Sequence, residues 1–340
     1  MKHLLRAGWS FARPHTVIGT SLSVVGIAVL ASGAPAVLPA GTPEATGIAA
    51  VAGAPTGTGV ATSAALAVVA ATLVAALAAN VYIVGLNQIV DVNIDLVNKP
   101  RLPLPAGKLT RDEAMAVVAA SGAVAIGLGA IAGAGGGWLV LTLSAAMLIG
   151  SAYSLPPLHL KFSPVGAPLS IGVVRGPIVT LGLYAHFQHT LGAGSISWTW
   201  IVLLTVFMTL FGLAIGVAKD LPDFRGDLAH DVTNLAVVHG PDRALTIATW
   251  LLVGAYVLTA VVAVLLLPPR GALLLTAAHG VALWLIARRV QRVNRVAAQS
   301  APFDAAGQRQ VSGFYRGVWR LFYTEAVVIP VLGVASVAFG

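Results

Sequence analysis

Carboxylates are scarce in this 340-residue sequence, and half of the 12 Asp and Glu are bunched into two short segments. Asp91 and Asp95 lie in NQIVDVNID; Asp220, Asp223, Asp227 and Asp231 lie in and just after KDLPDFRGD. Asn87, Asp91 and Asp95 recur every four residues, a spacing that stacks oxygen-bearing side chains along one helix face. Asp223 and Asp227 repeat it, with Asp220 one turn earlier, Lys219 beside it, and Pro222 marking a break or a helix start. One such group alone reads most simply as a solvated acidic helix end. Two groups brought together without counter-charge would repel. Mg2+ takes one or two carboxylates per ion and fills its shell with water and phosphate oxygens, so the pattern implies a pair of Mg2+ ions and a phosphorylated substrate. Soft metals are disfavoured, because the chain has no Cys and no paired-His motif. Lys99, Arg101 and Lys108 follow the first group and Lys219 and Arg225 lie in the second, cations able to neutralise a departing diphosphate. Lys108 and Arg111 read more simply as topogenic or lipid-headgroup contacts.

The elements that must position these residues are membrane helices. Hydrophobic residues make up 57% of the chain and charged residues only 9%, against about 25% charged in soluble globular domains. Runs of about 20 apolar residues, the length that spans a bilayer core, occur near 16–38, 61–90, 114–132, 138–155, 165–186, 198–218, 244–267, 271–287 and 318–339. The sequence therefore predicts an all-α membrane protein with nine transmembrane helices in a single domain over residues 1–340. The third and fourth runs are parted only by GAGGG (133–137), whose glycines suit a tight turn. Every Lys and Arg except Arg175 and Arg270 lies before the first run, after an even-numbered run, or just inside the ninth, which predicts a cytoplasmic N-terminus. Both acidic segments then follow cytoplasmic ends, those of the second and sixth spans. The net charge of +8 is thus a topology signal and not the footprint of a nucleic-acid binder. Residues 36–60, rich in Ala, Gly, Pro and Thr, read as a flexible external loop. A cleaved signal peptide at Val17–Leu30 is the weaker reading, since its apolar core is long and its removal would spoil the charge alternation.

Several segments resemble the UbiA superfamily of intramembrane prenyltransferases. Its two Asp-rich signatures correspond to Asn87, Asp91 and Asp95 followed by NKPRLPLPAG (98–107), and to Lys219, Asp220, Asp223, Gly226 and Asp227 in KDLPDFRGD. YSLPPLHLK (153–161) and VRGP (174–177) follow in the expected order. RPHTVIGTSLSV (13–24), NQIVDVNIDLVNKP (87–100), LYAHFQ (183–188) and WRLFYTEAVVIPVL (319–332) resemble the homogentisate prenyltransferase branch. The resemblance covers nearly the whole chain. It implies nine helices in a ring around a central cavity open to lipid, capped on the cytoplasmic side by the Asp segments. It further implies that Asn87, Asp91, Asp95, Asp223 and Asp227 hold two Mg2+ ions bridged by a prenyl diphosphate, with Asp220 as a further ligand or a supporting partner. Lys161 reads as a substrate contact, and Tyr153 reads either as one facing the cavity or as a member of the interfacial aromatic belt. Where many members carry Tyr four residues before the Lys of the second signature, this chain has Ile215, which removes any role for a Tyr there.

The implied chemistry is transfer of a phytyl- or geranylgeranyl-class group to an aromatic acceptor, homogentisate first among them. Breaking the allylic carbon–oxygen bond leaves a carbocation and a diphosphate; Mg2+ together with Lys99, Arg101 and Lys219 would stabilise the leaving group, and an apolar cavity would keep water from the cation. A phenolic ring then attacks as a carbon nucleophile. The lipid bilayer is a partner, because long isoprenoid tails dissolve in it. Ala-rich composition suggests a bacterial plasma membrane; nothing in the sequence speaks to oligomeric state.

Two charged residues fall at membrane depth, Arg175 and Glu325. Arg175 reads as a contact to the diphosphate or to the acceptor's carboxylate, or as a structural partner of Glu325. Glu325 and His279 read as structural, and His186 is left open. The competing class is a transporter, which would place acids near the midplane of broken helices; here they cluster at one face. Other acceptors, such as hydroxybenzoate, naphthoate, chlorophyllide, haem or a lipid glycerol, are the alternatives within the enzyme reading.

Overall fold

A computed structural model of the chain describes residues 2–32, 58–133, 136–191, 198–297 and 305–338. All regular structure among these residues is helical. A short α1 (Lys2–Phe11) leads into α2 (Pro14–Ser32), followed by α3 (Thr58–Val90), the short α4 (Val92–Asn98), α5 (Arg111–Ala132) and α6 (Trp138–Ser154). Next come α7 (Gly166–Leu191), α8 (Trp198–Ala218), the short α9 (Phe224–Ala229) and α10 (Leu235–His239), then α11 (Pro241–Leu266), α12 (Pro269–Ala297) and α13 (Ala305–Ala338). Eight helices among the described residues are long and apolar enough to cross a membrane, and α6 is a shorter apolar helix of 17 residues. The external loop expected at 36–60 lies outside the described residues as far as 57; residues 58–60 already belong to α3.

Packing runs around the molecule in sequence order. Helix α2 contacts α3, α3 contacts α5 and α6, α6 contacts α7, α7 contacts α8, and α8 contacts α11; α11 contacts α12, α12 contacts α13, and α13 returns to α2. The outward faces carry large apolar side chains in the open, among them Ile131, Leu148, Leu265 and Leu273 at 70% exposure or more. In water this would be an extensive sticky surface, whereas lipid solvates it. Inward contacts rely on small residues. A side chain at Gly212 of α8 would come within 2.9 Å of the Gly172 Cα of α7, so the two backbones touch, the close approach that glycine permits between membrane helices.

Helix α7 is not uniform. Residues Val174–Leu181 form wide π-helical turns around Pro177, between α-helical ends. Proline has no N–H to offer and its ring blocks the carbonyl four residues back, so the turn widens there instead of the helix ending.

Candidate active site

Helix α3 closes at Val90, and Asp91 (φ −92°, ψ 10°) stands outside helical geometry as the cap of α4. The hydrogen bonds still step through the bend, Asp91 N to Asn87 O (3.0 Å), Asp95 N to Asp91 O (2.7 Å) and Lys99 N to Asp95 O (2.8 Å). The ladder expected on a straight helix is therefore kinked at its middle residue. Helix α8 ends at Ala218, a turn carries Lys219 to Pro222, and Asp223 caps α9, with Asp227 N bonded to Asp223 O at 3.0 Å. Pro222 marks this break, as its position in the sequence implies.

The two segments, more than 120 residues apart, meet. Asn98 accepts from Gly226 N (3.0 Å) and donates to Asp227 Oδ1 (2.9 Å), while Asn234 donates to Asp227 Oδ2 at 2.7 Å. Lys99 pairs with Asp223 and its Nζ lies 3.6 Å from Asp95 Oδ1. Lys161 pairs with Asp91, and Lys219 with Asp220. Arg13 donates to Asn87 Oδ1 at 3.3 Å and reaches Asp95 Oδ2 at 3.9 Å; Asn87 in turn donates to Asp91 Oδ2 at 2.8 Å.

These residues surround the mouth of a cavity of about 820 Å³. Asn87, Asp91, Asp95, Asp220, Asp223, Asp227, Lys99, Lys161, Lys219, Tyr153 and Arg175 all line it, and its deeper wall is apolar, with Ile27, Ala79, Ala146, Leu204 and Met208. Arg101 is exposed and is not among the lining residues, so the structure does not bring it to the site with Lys99 and Lys219. Asp231, at φ +53°, is likewise exposed and apart. The Lys219 ammonium sits 5.6 Å from the Tyr153 ring centre. His186 is buried and shares a 2.8 Å hydrogen bond with Thr72 away from the cavity lining. Glu325 lies 3.4 Å from His279 Nε2, so it is His279 and not Arg175 that faces it.

Arg13, Asn98 and Asn234 complete the site and do not stand out in the sequence. Arg13 reads there as one more topogenic charge at the head of RPHTVIGTSLSV, beside the Pro14 at which α2 starts. Asn98 lies in the NKP segment, but its partners Gly226 and Asp227 can be found only from the fold.

Charge at the mouth is incompletely compensated. Burial pushes the Asp227 carboxyl up to about 7, and the negative charges of Asp223 and Asp220 add to the effect. Burial also raises Asp95, against the opposing pull of Lys99 and Arg13. Asp95 Oδ2 is buried without a hydrogen-bond donor. Burial lowers and Asp223 raises Lys99, with a net upward shift, so it stays charged. The donor set is all oxygen and suits a hard cation. Among the described residues no three acidic or His side chains form a cage by themselves.

Residues 43–306 match the UbiA prenyltransferase family. The chain is 34% identical to the homogentisate phytyltransferase of Synechocystis sp., covering 96% of this chain and 95% of that one. It is 32% identical to the chloroplastic homogentisate solanesyltransferase of Arabidopsis thaliana, over 96% and 76% of the two chains. A UbiA homolog from Archaeoglobus fulgidus, solved bound to GPP and Mg2+, superposes with a TM-score of 0.58 at 17% identity, over 98% of this chain and 99% of that one, which shows a shared fold.

Proposed function

Because the chain belongs to the UbiA prenyltransferase family, we propose that it transfers a phytyl- or geranylgeranyl-class group from its diphosphate to homogentisate inside the membrane. One observation carries the reading: two carboxylate-rich helix ends, paired with three lysines, close over the mouth of a deep apolar cavity. The relatives named for homogentisate supply the acceptor. The fold is read as one domain over residues 1–340 in which nine helices, α6 included, cross the bilayer. The Lys and Arg distribution puts the N-terminus and the cavity mouth on the cytoplasmic side, in a bacterial plasma membrane.

Asn87, Asp91, Asp95, Asp223 and Asp227 would hold two Mg2+ ions, and Asp220 steadies Lys219 beside them. When bound, the metal supplies positive charge to the oxygens of the leaving diphosphate. The chain's own contribution is then threefold. Lys99, Lys161 and Lys219, held in place by Asp223, Asp91 and Asp220, turn their ammonium groups to the diphosphate as the allylic carbon–oxygen bond breaks. Ile27, Leu204, Met208 and their neighbours keep water from the carbocation. Tyr153 lines the cavity with its ring 5.6 Å from the Lys219 ammonium, and would pack against the allylic end of the donor. The acceptor ring attacks the allylic carbon as a carbon nucleophile while the diphosphate leaves. It regains aromaticity by losing a proton or, for homogentisate, its carboxyl group as CO2, so no protein nucleophile is required.

Purified protein in nanodiscs, given Mg2+, homogentisate and labelled phytyl or geranylgeranyl diphosphate, is expected to yield prenylated product. Product with another acceptor only overturns the homogentisate reading; accumulation of substrate in vesicles without product overturns the enzyme reading in favour of a carrier.

A further inference from the structure

Arg175 is a cation that the diphosphate chemistry does not use. It stands in the π-helical part of α7, nine residues beyond the start of that helix at Gly166. The guanidinium carbon lies 4.9 Å from the Trp319 ring centre and 4.8 Å from that of Phe322, and the residue lines the cavity. No carboxylate among the described residues pairs with it: Asp91, Asp220 and Asp223 are held by lysines, and Glu325 faces His279. An unpaired charge at membrane depth is costly, and stacking on aromatic faces offsets only part of that cost. The rest is recovered when an anion enters the cavity.

Two anions are available under the proposed function, the diphosphate and the carboxylate of the aromatic acceptor. The surroundings favour the second. The mouth already has Lys99, Lys161, Lys219 and Arg13 for phosphate oxygens, whereas Arg175 is set among flat rings: Trp319 is met edge-on by His15 at 4.9 Å and flanked by Tyr323 at 5.8 Å. Walls of this kind receive an aromatic ring, and a guanidinium fork matches a carboxylate.

We propose that Arg175 anchors the acceptor's carboxylate, with the acceptor ring against Trp319 and Phe322, in a subsite separate from the diphosphate site. The proposal rests on the prenyltransferase reading for the identity of the acceptor.

The test compares homogentisate with its methyl ester, a neutral analogue of the same ring, in nanodisc-embedded wild type, Arg175→Gln and Arg175→Lys. Binding is measured by calorimetry with Mg2+ and inorganic pyrophosphate present, and KM is measured for acceptor and for prenyl diphosphate. Wild type is expected to favour acid over ester by on the order of tenfold or more; Arg175→Gln should abolish that preference, Arg175→Lys should restore part of it, and KM for the diphosphate should stay within about twofold. An acid-to-ester ratio near one in wild type, or one unchanged in the variants, overturns the proposal, as does weakened pyrophosphate binding with the ratio intact. If Arg175→Gln fails to fold, the wild-type ratio and Arg175→Lys decide. Absence of turnover with homogentisate would sink the functional reading alone, since the acid-to-ester binding ratio is read without turnover.

Discussion

At the residue scale, the site is organised by competition for the same oxygens. Two of the three lysines at the mouth rest on an Asp that, under the proposed function, serves a metal ion, Lys99 on Asp223 and Lys161 on Asp91, while Lys219 rests on Asp220 beside them. Metal binding would therefore displace ammonium groups toward the phosphate, and the two kinds of residue should separate in experiment. Asp223→Asn removes charge without volume. It is expected to lose the stabilisation that Mg2+ and pyrophosphate give the wild type, about 2.7 kcal/mol at a hundredfold excess over Kd, and to drop kcat on the order of 10² to 10³-fold. Lys99→Met should lower kcat while keeping, or strengthening, the thermal shift with Mg2+, because Asp223 and Asp95 lose a competitor. Melting curves with and without the ion check both. Equal retention of the shift in Asp223→Asn and Lys99→Met would remove Asp223 from the metal site. Asp91→Ala and Asp223→Ala are expected to fold and to lose Mg2+-dependent turnover, and near-normal activity in both would contradict the assignment.

At the scale of elements, the apposition of α4 and α9 decides whether these side chains share a ligand. Gly226 has no room for a side chain, because a Cβ there would run into the Asn98 amide that ties the two segments together. Gly226→Ala should thus leave insertion intact and cut kcat/KM for the diphosphate by about tenfold or more, through loss of the charge-bound amide contact. Gly212→Val acts elsewhere, by forcing α8 off the Gly172 backbone of α7. It is expected to destabilise the fold by about 1–3 kcal/mol as an overpacking change, seen as a lower melting temperature with every donor affected alike. The same elements show what the sequence makes legible. The uniform apolar run of α8 is read to the residue, Trp198 and Ala218 bounding both the expected and the observed helix, while α11, expected over 244–267, spans Pro241–Leu266. Runs with a polar face are read short. The ninth, expected from 318, begins at Ala305 in α13, because Gln308, Ser312, Tyr315 and Arg316 face the cavity and dilute the hydropathy. The eighth, expected to end at 287, continues through its arginines to Ala297. The acids of the site announce themselves by four-residue spacing. Their partners do not, since Asn98 meets Asp227 across 129 positions and only the closed packing of the helices brings them together.

At the scale of the molecule, charge and oil are segregated along one cavity. From Lys219 at the mouth to Leu204 on α8 is 15 residues, about 22 Å of helix, most of the way through a hydrocarbon core of about 30 Å. The polar residues cluster at one end, and the far end is walled by Ile27, Leu204, Met208 and the small side chains of Ala76, Ala79 and Ala146. Those alanines are 3–8% exposed, so they are packed from behind, and their size is what leaves the volume in front of them open. A donor held by its diphosphate at the mouth finds an apolar wall along this direction for its tail, and each buried CH2 contributes about 0.8 kcal/mol. Ala146→Phe should then act as a floor raised partway up the cavity. Geranyl diphosphate, with a tail short enough to stop above it, is expected to keep kcat/KM within about threefold, whereas geranylgeranyl and phytyl diphosphates should lose tenfold or more, on the order of two buried CH2 groups. The diagnostic quantity is the ratio between donors measured on one preparation, since any general loss of stability from overpacking cancels in it. A ratio equal to that of the wild type would mean that the tail leaves the cavity before reaching Ala146 and lies against lipid instead.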